Sequence, residues 1–329
     1  SRVWRQTFED PARLRENTMR AIKLPQFNFL SQRRKAMIFS GALMVTCLLS
    51  VAIQGFNHGL DFTGGTIVEV SYKQSVDLAD VRQALAEGGF TNVMAQQFGT
   101  TRDVLLRIPP EGEASDSKLS QHVLTALNAK APDQVELRRV EFVGPQVGKE
   151  LVDQSGLSVL FSLIGILIYV ALRFEWRFSI GAVVATIHDS IIVVGAFSLF
   201  QIEFDLTVLA AVLTVIGYSL NDTVVVFDRI RENFRKVRKG SVIDIMNQSV
   251  NETMSRTIIT AGTVFLVVVT LYFFGGPSLH GFSLALIIGV VFGTYSTVYV
   301  ATASVFALGV SRADLLKVPK EGAGADSRP

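Results

Sequence analysis

Asn221 and Asp222 stand side by side in TVIGYSLNDTVVVFDRIRENFR (214–235), a stretch otherwise apolar enough to cross a bilayer. A carboxylate at membrane depth costs roughly 2.5 to 3.5 kcal/mol on insertion scales, so its presence points to a function and to a partner. The chemistry open to it is the gain and loss of a proton. Desolvation favours the neutral acid and a nearby guanidinium favours the carboxylate, so a small change in water access or helix position exchanges the two. Arg256, in the Ser255-Arg256-Thr257 triplet that opens the next apolar run, is the candidate guanidinium. Asp189, preceded by His188 in the middle of another run, is a candidate second carboxylate for the same relay. For both pairs the plain alternative is hydrogen bonding that glues helices together, worth about 0.6 to 2 kcal/mol.

Helical spacing places Thr214, Tyr218, Asn221, Asp222 and Val225 on one stripe, while Val215, Ile216, Leu220, Val224 and Val226 cover the remainder. The expectation is that the stripe meets protein or water and the other face meets lipid. Ser155, Ser158 and Ser162 in one run, with Thr260 and Thr263 after Arg256 in another, extend polar stripes toward the interior. Such hydroxyls either order water for proton hopping or let helices pack closely.

Of the 329 residues 49% are hydrophobic and 18% charged, with a mean hydropathy of +0.38. That is too apolar for a soluble globular domain and implies a polytopic membrane protein. A net charge of +2 lacks the surplus of a nucleic-acid binder, so no nucleic-acid partner is expected. Six runs are long enough to span, at 36–56, 155–174, 178–200, 206–227, 257–275 and 282–309. Lys and Arg gather in SQRRK (31–35), in RFEWR (173–177) and over 229–256, and are missing from 201–205 and 276–281. This pattern places both termini in the cytoplasm. DRIRENFRKVRKG (228–240) continues the fourth helix and reads as an anchor on anionic membrane lipid. Residues 1–35 are then a cytoplasmic segment, 154–310 the bundle of helices 2 to 6 with a cytoplasmic segment at 228–256, and 311–329 a disordered tail. The single cysteine, Cys47, is expected to be a small buried hydrophobe.

Residues 57–153 are soluble in character. Their pattern gives a strand at 66–72, a helix capped by Asp77 that ends at Gly88-Gly89, strands at 92–98 and 104–108 and a loop at 109–116. A helix at 117–130 follows, with Leu119, Val123, Leu124 and Leu127 on one side, and then a strand at 135–143. The order β-α-β-β-α-β is the ferredoxin-like split motif. The expected fold is therefore a polytopic α-helical membrane protein with six transmembrane helices and one α+β ferredoxin-like extracytoplasmic domain between helices 1 and 2, periplasmic by the charge count. GLDFTGGT (59–66) joins the first helix to that domain; within it Gly59, Asp61, Phe62, Gly64 and Gly65 form a structural motif. Its paired glycines permit a tight or left-handed backbone and close helix approach. No Walker lysine, His-rich cluster or Ser-His-Asp set is present, so the chain is expected to be no enzyme and to hold no cofactor or metal.

Taken with VGPQVG (143–148), His188-Asp189, YSLNDTVVVFDRIREN (218–233) and SVNETMSRT (249–257), in that order, the chain resembles the SecF family over about residues 20–310. SecF is a subunit of the bacterial SecD-SecF membrane protein. The resemblance implies one half of a twelve-helix arrangement of the resistance-nodulation-division type, formed with SecD in the inner membrane. It implies that the proton motive force is used to complete export of unfolded preproteins emerging from the SecYEG channel in the SecA pathway, with YajC and YidC as candidate neighbours. It also implies that Asp222 and Arg256 belong to the proton route. Two other classes compete: a proton-coupled exporter of small molecules, for which a single half with so small an outer domain is a poor fit, and a scaffold that holds membrane subunits together without coupling to protons.

Overall fold

The protein is described here by a computed structural model over residues 26–90, 92–98, 100–109, 116–132, 134–237 and 239–311. The expectations for residues 1–25, for loop 110–115 and for the tail from 312 lie outside these. A 3-10 turn at Phe29–Gln32 leads into helix α1 (Arg33–Gln54), which Gly55 ends. Strand β1 (Asn57–His58) and the one-turn helix α2 (Leu60–Thr63) follow. The sheet domain, expected on the outer side, is then β2 (Gly65–Tyr72), α3 (Leu78–Glu87), β3 (Met94–Phe98), β4 (Thr100–Ile108), α4 (Asp116–Lys130) and β5 (Val135–Val143). Its four strands run in the order β3-β4-β2-β5, every neighbour antiparallel. Val68, Val70, Val104, Leu106 and Ile108 alternate onto one face of the sheet and bury against Val81 and Leu85 of α3 and Val123 and Leu127 of α4. The Asp77 carboxylate accepts the Ala79 amide at 2.9 Å, as an N-cap does.

The bundle follows as α5 (Pro145–Arg173), α6 (Trp176–Leu199), strand β6 (Glu203–Phe204), α7 (Leu206–Lys236), α8 (Val242–Phe274), α9 (His280–Ser296), a π turn (Thr297–Ala301) and α10 (Thr302–Ala307). Counting α9 to α10 as one, six helices are long and apolar enough to cross a membrane. Two begin well before the apolar run that announces them. The second starts at Pro145, so the compact outer domain ends at Val143 rather than at 153; the fifth starts at Val242, leaving only a short turn of the segment expected at 228–256. Helices stop where caps and breakers say so, and polar residues alone do not stop them. Gly144 precedes α5, and Ser241 with Asp244 forms a capping box at α8.

Small residues set the closest approaches in the bundle, as they do where lipid supplies no hydrophobic drive between helices. A Cβ on Gly289 would lie 2.1 Å from Val215, and Cys47 is free and buried against Gly195. At the end away from the domain, the helices are tied by ion pairs. Arg173 pairs with Asp228, Arg231 with Glu175 at 3.1 Å, and Arg229 with Glu252 at 2.5 Å. Two arginines of the stretch expected to anchor on lipid are thus turned onto carboxylates of the protein itself.

The domain is seated on the opposite end. β1 pairs with β6 in parallel, Asn57 with Glu203 and His58 with Phe204. From the open face of the sheet, Arg107 pairs with Glu203 and donates to the His58 carbonyl at 3.2 Å, and Arg139 donates to the Ser278 hydroxyl at 3.0 Å. Burial pushes the Glu203 carboxyl up from its ordinary range, and the Arg107 guanidinium pulls it back. The turn from α2 into the sheet depends on Gly65, whose φ of +121° suits glycine and whose Cβ would meet the Ile108 carbonyl oxygen at 2.5 Å. Gly89 also has positive φ, +91°, but opens onto empty space. An alanine at either site meets backbone strain of about 1 to 3 kcal/mol; only Gly65→Ala adds a clash with main chain. Thermal unfolding should therefore show a clearly lower Tm for Gly65→Ala than for Gly89→Ala.

Candidate proton-relay site

Asp222 lies on α7 with 3% of its surface exposed, and its Oδ2 has no hydrogen-bond partner. The Tyr218 hydroxyl one turn earlier and the Thr257 hydroxyl on α8 are buried without partners as well. Arg256, also on α8, is exposed; its charge reaches Asp222, but the two form no ion pair among the described residues. The structure therefore holds the carboxyl and the guanidinium on neighbouring helices without an ion pair between them.

The apolar face of α7 does not meet lipid as expected. Val215, Ile216, Leu220 and Val226 are buried inside the bundle, whereas Thr214 and Asn221 are exposed and Tyr218 and Val225 half-buried. The apolar face makes the core; of the polar stripe, Thr214 and Asn221 look outward, while Asp222 is buried. Lipid and protein interior are equally apolar, so hydropathy cannot tell which of them a valine will meet. Three of the five hydroxyls expected to order water or ease packing bond back along their own helices. Ser158 donates to the Gln154 carbonyl at 2.8 Å, Thr260 to that of Arg256 at 3.0 Å and Thr263 to that of Thr260 at 2.9 Å.

Asp189 on α6 is in a different situation. It is fully buried, and three side chains from three helices meet it. His188 Nδ1 lies 2.9 Å from Oδ1, the Ser219 hydroxyl of α7 donates to Oδ2, and the Ser296 hydroxyl of α9 donates to the same oxygen at 2.7 Å. The His188 ring stacks on Tyr295, whose hydroxyl donates to the Ala36 carbonyl of α1 at 2.9 Å. The π turn begins directly after Ser296 and places Thr297 3.0 Å from the Thr223 hydroxyl. Single π turns inside helices are frequent at functional sites. Sequence reasoning missed Ser219, Ser296 and Tyr295, because isolated hydroxyls in apolar runs carry no signature; the one available signal is that Ser219 precedes Asp222 by three residues. No described hydrogen bond joins the two carboxylates, although both are reached from α7.

In the motif at the domain end, Asp61 Oδ2 accepts the Leu206 amide at 3.0 Å, Gly59 donates its amide to the Phe204 carbonyl at 2.8 Å, and the Phe62 ring stacks on Phe204. Gly64 and Gly65 carry φ of +69° and +121° into β2.

The family described as protein export membrane protein SecD/SecF, C-terminal, matches residues 122–311, and the SecD/SecF GG motif matches 49–76. The chain belongs to the SecD/SecF family. The first match takes in Asp189, Asp222 and Arg256, and the second takes in Gly59, Asp61, Phe62, Gly64 and Gly65. Among SecD/SecF relatives, the protein translocase subunit SecF of Vibrio alginolyticus is 48% identical over 92% of this chain and 96% of its own length. That of Pseudomonas aeruginosa is 48% identical over 94% and 99%, and that of Escherichia coli O157:H7 is 45% identical over 92% and 94%. The crystal structure of SecDF, a translocon-associated membrane protein from Thermus thermophilus, superposes with a TM-score of 0.78 at 37% identity. The match covers 87% of this chain and 39% of the solved one, so the chain spans about two fifths of that SecDF protein.

Stripping a donor from Asp189 leaves a buried carboxylate under-satisfied, at a cost of about 1 to 3 kcal/mol. Ser296→Ala should accordingly lower the Tm of the detergent-solubilised protein by several degrees. Thr263→Ala, which removes an exposed hydroxyl bonded only to its own helix, should leave it within about one degree.

Proposed function

We propose that this chain is the SecF-type subunit of a bacterial protein-export assembly of the inner membrane, coupling the proton motive force to the completion of preprotein translocation. The observation that carries the reading is the outward polar stripe of α7, where Asn221 is exposed beside the unpartnered Asp222. Exposed amide and hydroxyl groups at this depth are unsuited to lipid, and a half-site of this kind calls for a second bundle to close it. SecD is the partner we assign to that face. Preprotein leaving the SecYEG channel after SecA-driven entry is the cargo, with YajC and YidC as neighbours in the assembly.

In this reading Asp222 alternates between a carboxylate drawn to Arg256 and a neutral acid released from it, and Asp189 is a second, more tightly held member of the relay. The distribution of Lys and Arg places both termini in the cytoplasm and the outer domain, which we read as ferredoxin-like, in the periplasm. Each proton that crosses supplies about 2.3 kcal/mol per 100 mV, enough to bias a two-state rearrangement more than tenfold. The outer domain then grips or releases the emerging chain.

Asp222→Asn keeps the shape and removes the ionisation. Export into inverted vesicles should fall to the level seen without a proton gradient; export at full rate would instead favour a scaffold. Asn221→Leu should reduce the amount of SecD that copurifies with the chain from native membranes, and unchanged copurification would place the partner on another face.

A further inference from the structure

Helix α7, which carries Asp222, starts under the outer domain, and its first turn is held by two carboxylates. One is its own N-cap, Asp205, which accepts the Val208 amide at 2.8 Å. The other comes from far away in sequence: Asp61 of the Gly-Gly motif accepts the Leu206 amide at 3.0 Å. A helix ordinarily caps itself with a neighbouring residue; here a free amide of the first turn is satisfied by the segment that leads into the domain. Around this contact the two segments are pinned further. β1 pairs with β6, the Gly59 amide donates to Phe204, and Gly59 comes so near that a Cβ there would be 2.9 Å from that of Asp205. Arg107, from the middle of the sheet, reaches Glu203 and the His58 carbonyl.

We propose that Asp61 and the β1–β6 pairing make the outer domain and helix α7 one mechanical unit, and that Asp61 is the positioning residue through which a shift of the Asp222 helix is carried into the domain. The proposal rests on the reading of Asp222 as the protonation switch, but its link is separate from the switch. The charge of Asp61 is dispensable in this role, because an amide oxygen can accept the same hydrogen bond from Leu206.

The test measures gradient-dependent export in inverted vesicles, with assembly checked by copurification, in a Cys47→Ala background. Asp61→Ala is expected to lower export about tenfold, the scale of one hydrogen bond to a charged acceptor. Asp61→Asn is expected to stay within about twofold of the parent, since it keeps the acceptor. Asn57 and Glu203 are paired residues of adjacent strands, at a spacing a disulfide can bridge. Asn57→Cys with Glu203→Cys, oxidised in the Asp61→Ala chain, should restore export by replacing the lost contact with a covalent one, and reduction should abolish the rescue. Full export by Asp61→Ala overturns the proposal. So does loss with Asp61→Asn, which would assign Asp61 a titrating role, and so does a cross-link that blocks export in the Asp61 parent, which would mean that the clasp has to open. Loss with Asp222→Asn beside full export with Asp61→Ala rejects the link alone. Full export with Asp222→Asn beside an Asp61 series that behaves as expected rejects the switch alone.

Discussion

A carboxyl group buried among apolar helices is costly unless its oxygens are hydrogen-bonded, and the bundle satisfies Asp189 and Asp222 to different degrees. Asp189 receives His188, Ser219 and Ser296 from three helices and is locked into the bundle. Asp222 has an oxygen without a partner, beside unpartnered hydroxyls of Tyr218 and Thr257. The two meet on the same helix, α7, which is long and held at both ends. At one end Arg229 and Arg231 are gripped by Glu252 and Glu175; at the other the domain sits on its first turn.

The same constraint explains which surfaces are left open. α5 and α8 carry long exposed apolar faces, as helices facing lipid do, with Phe161, Leu172, Leu266 and Phe274 outward. On α7, by contrast, the exposed residues Thr214 and Asn221 are polar. That contrast is what the proposed partner face rests on.

The sequence made some parts legible and hid others for identifiable reasons. The six spans, the order of the domain's elements and the Asp77 cap could be read because apolar length, strand alternation and capping are local properties. The starts of α5 and α8 could not, because a polar stretch continues a helix as readily as an apolar one until a cap intervenes. Asp222 and Asp189 stood out as charges in apolar runs, but the serines that hold Asp189 are chemically quiet in sequence. The apolar face of α7, expected to meet lipid, is packed inside the bundle, since a valine facing Gly289 and a valine facing lipid look alike. The β1–β6 pairing was invisible: two-residue strands have no periodicity, and their partners are far apart in the chain.

That separation bears on how the protein is made. A ribosome delivers residues 65–143, enough for the whole four-stranded sheet and both covering helices, before it reaches Glu203. Domains generally fold as units during synthesis, the earlier part first. The sheet is thus complete before the third and fourth spans exist, and its attachment to the bundle waits for the short strand between them. Until that contact forms the head is finished but untethered, and a protease added on its side of the membrane distinguishes that stage from the mature molecule.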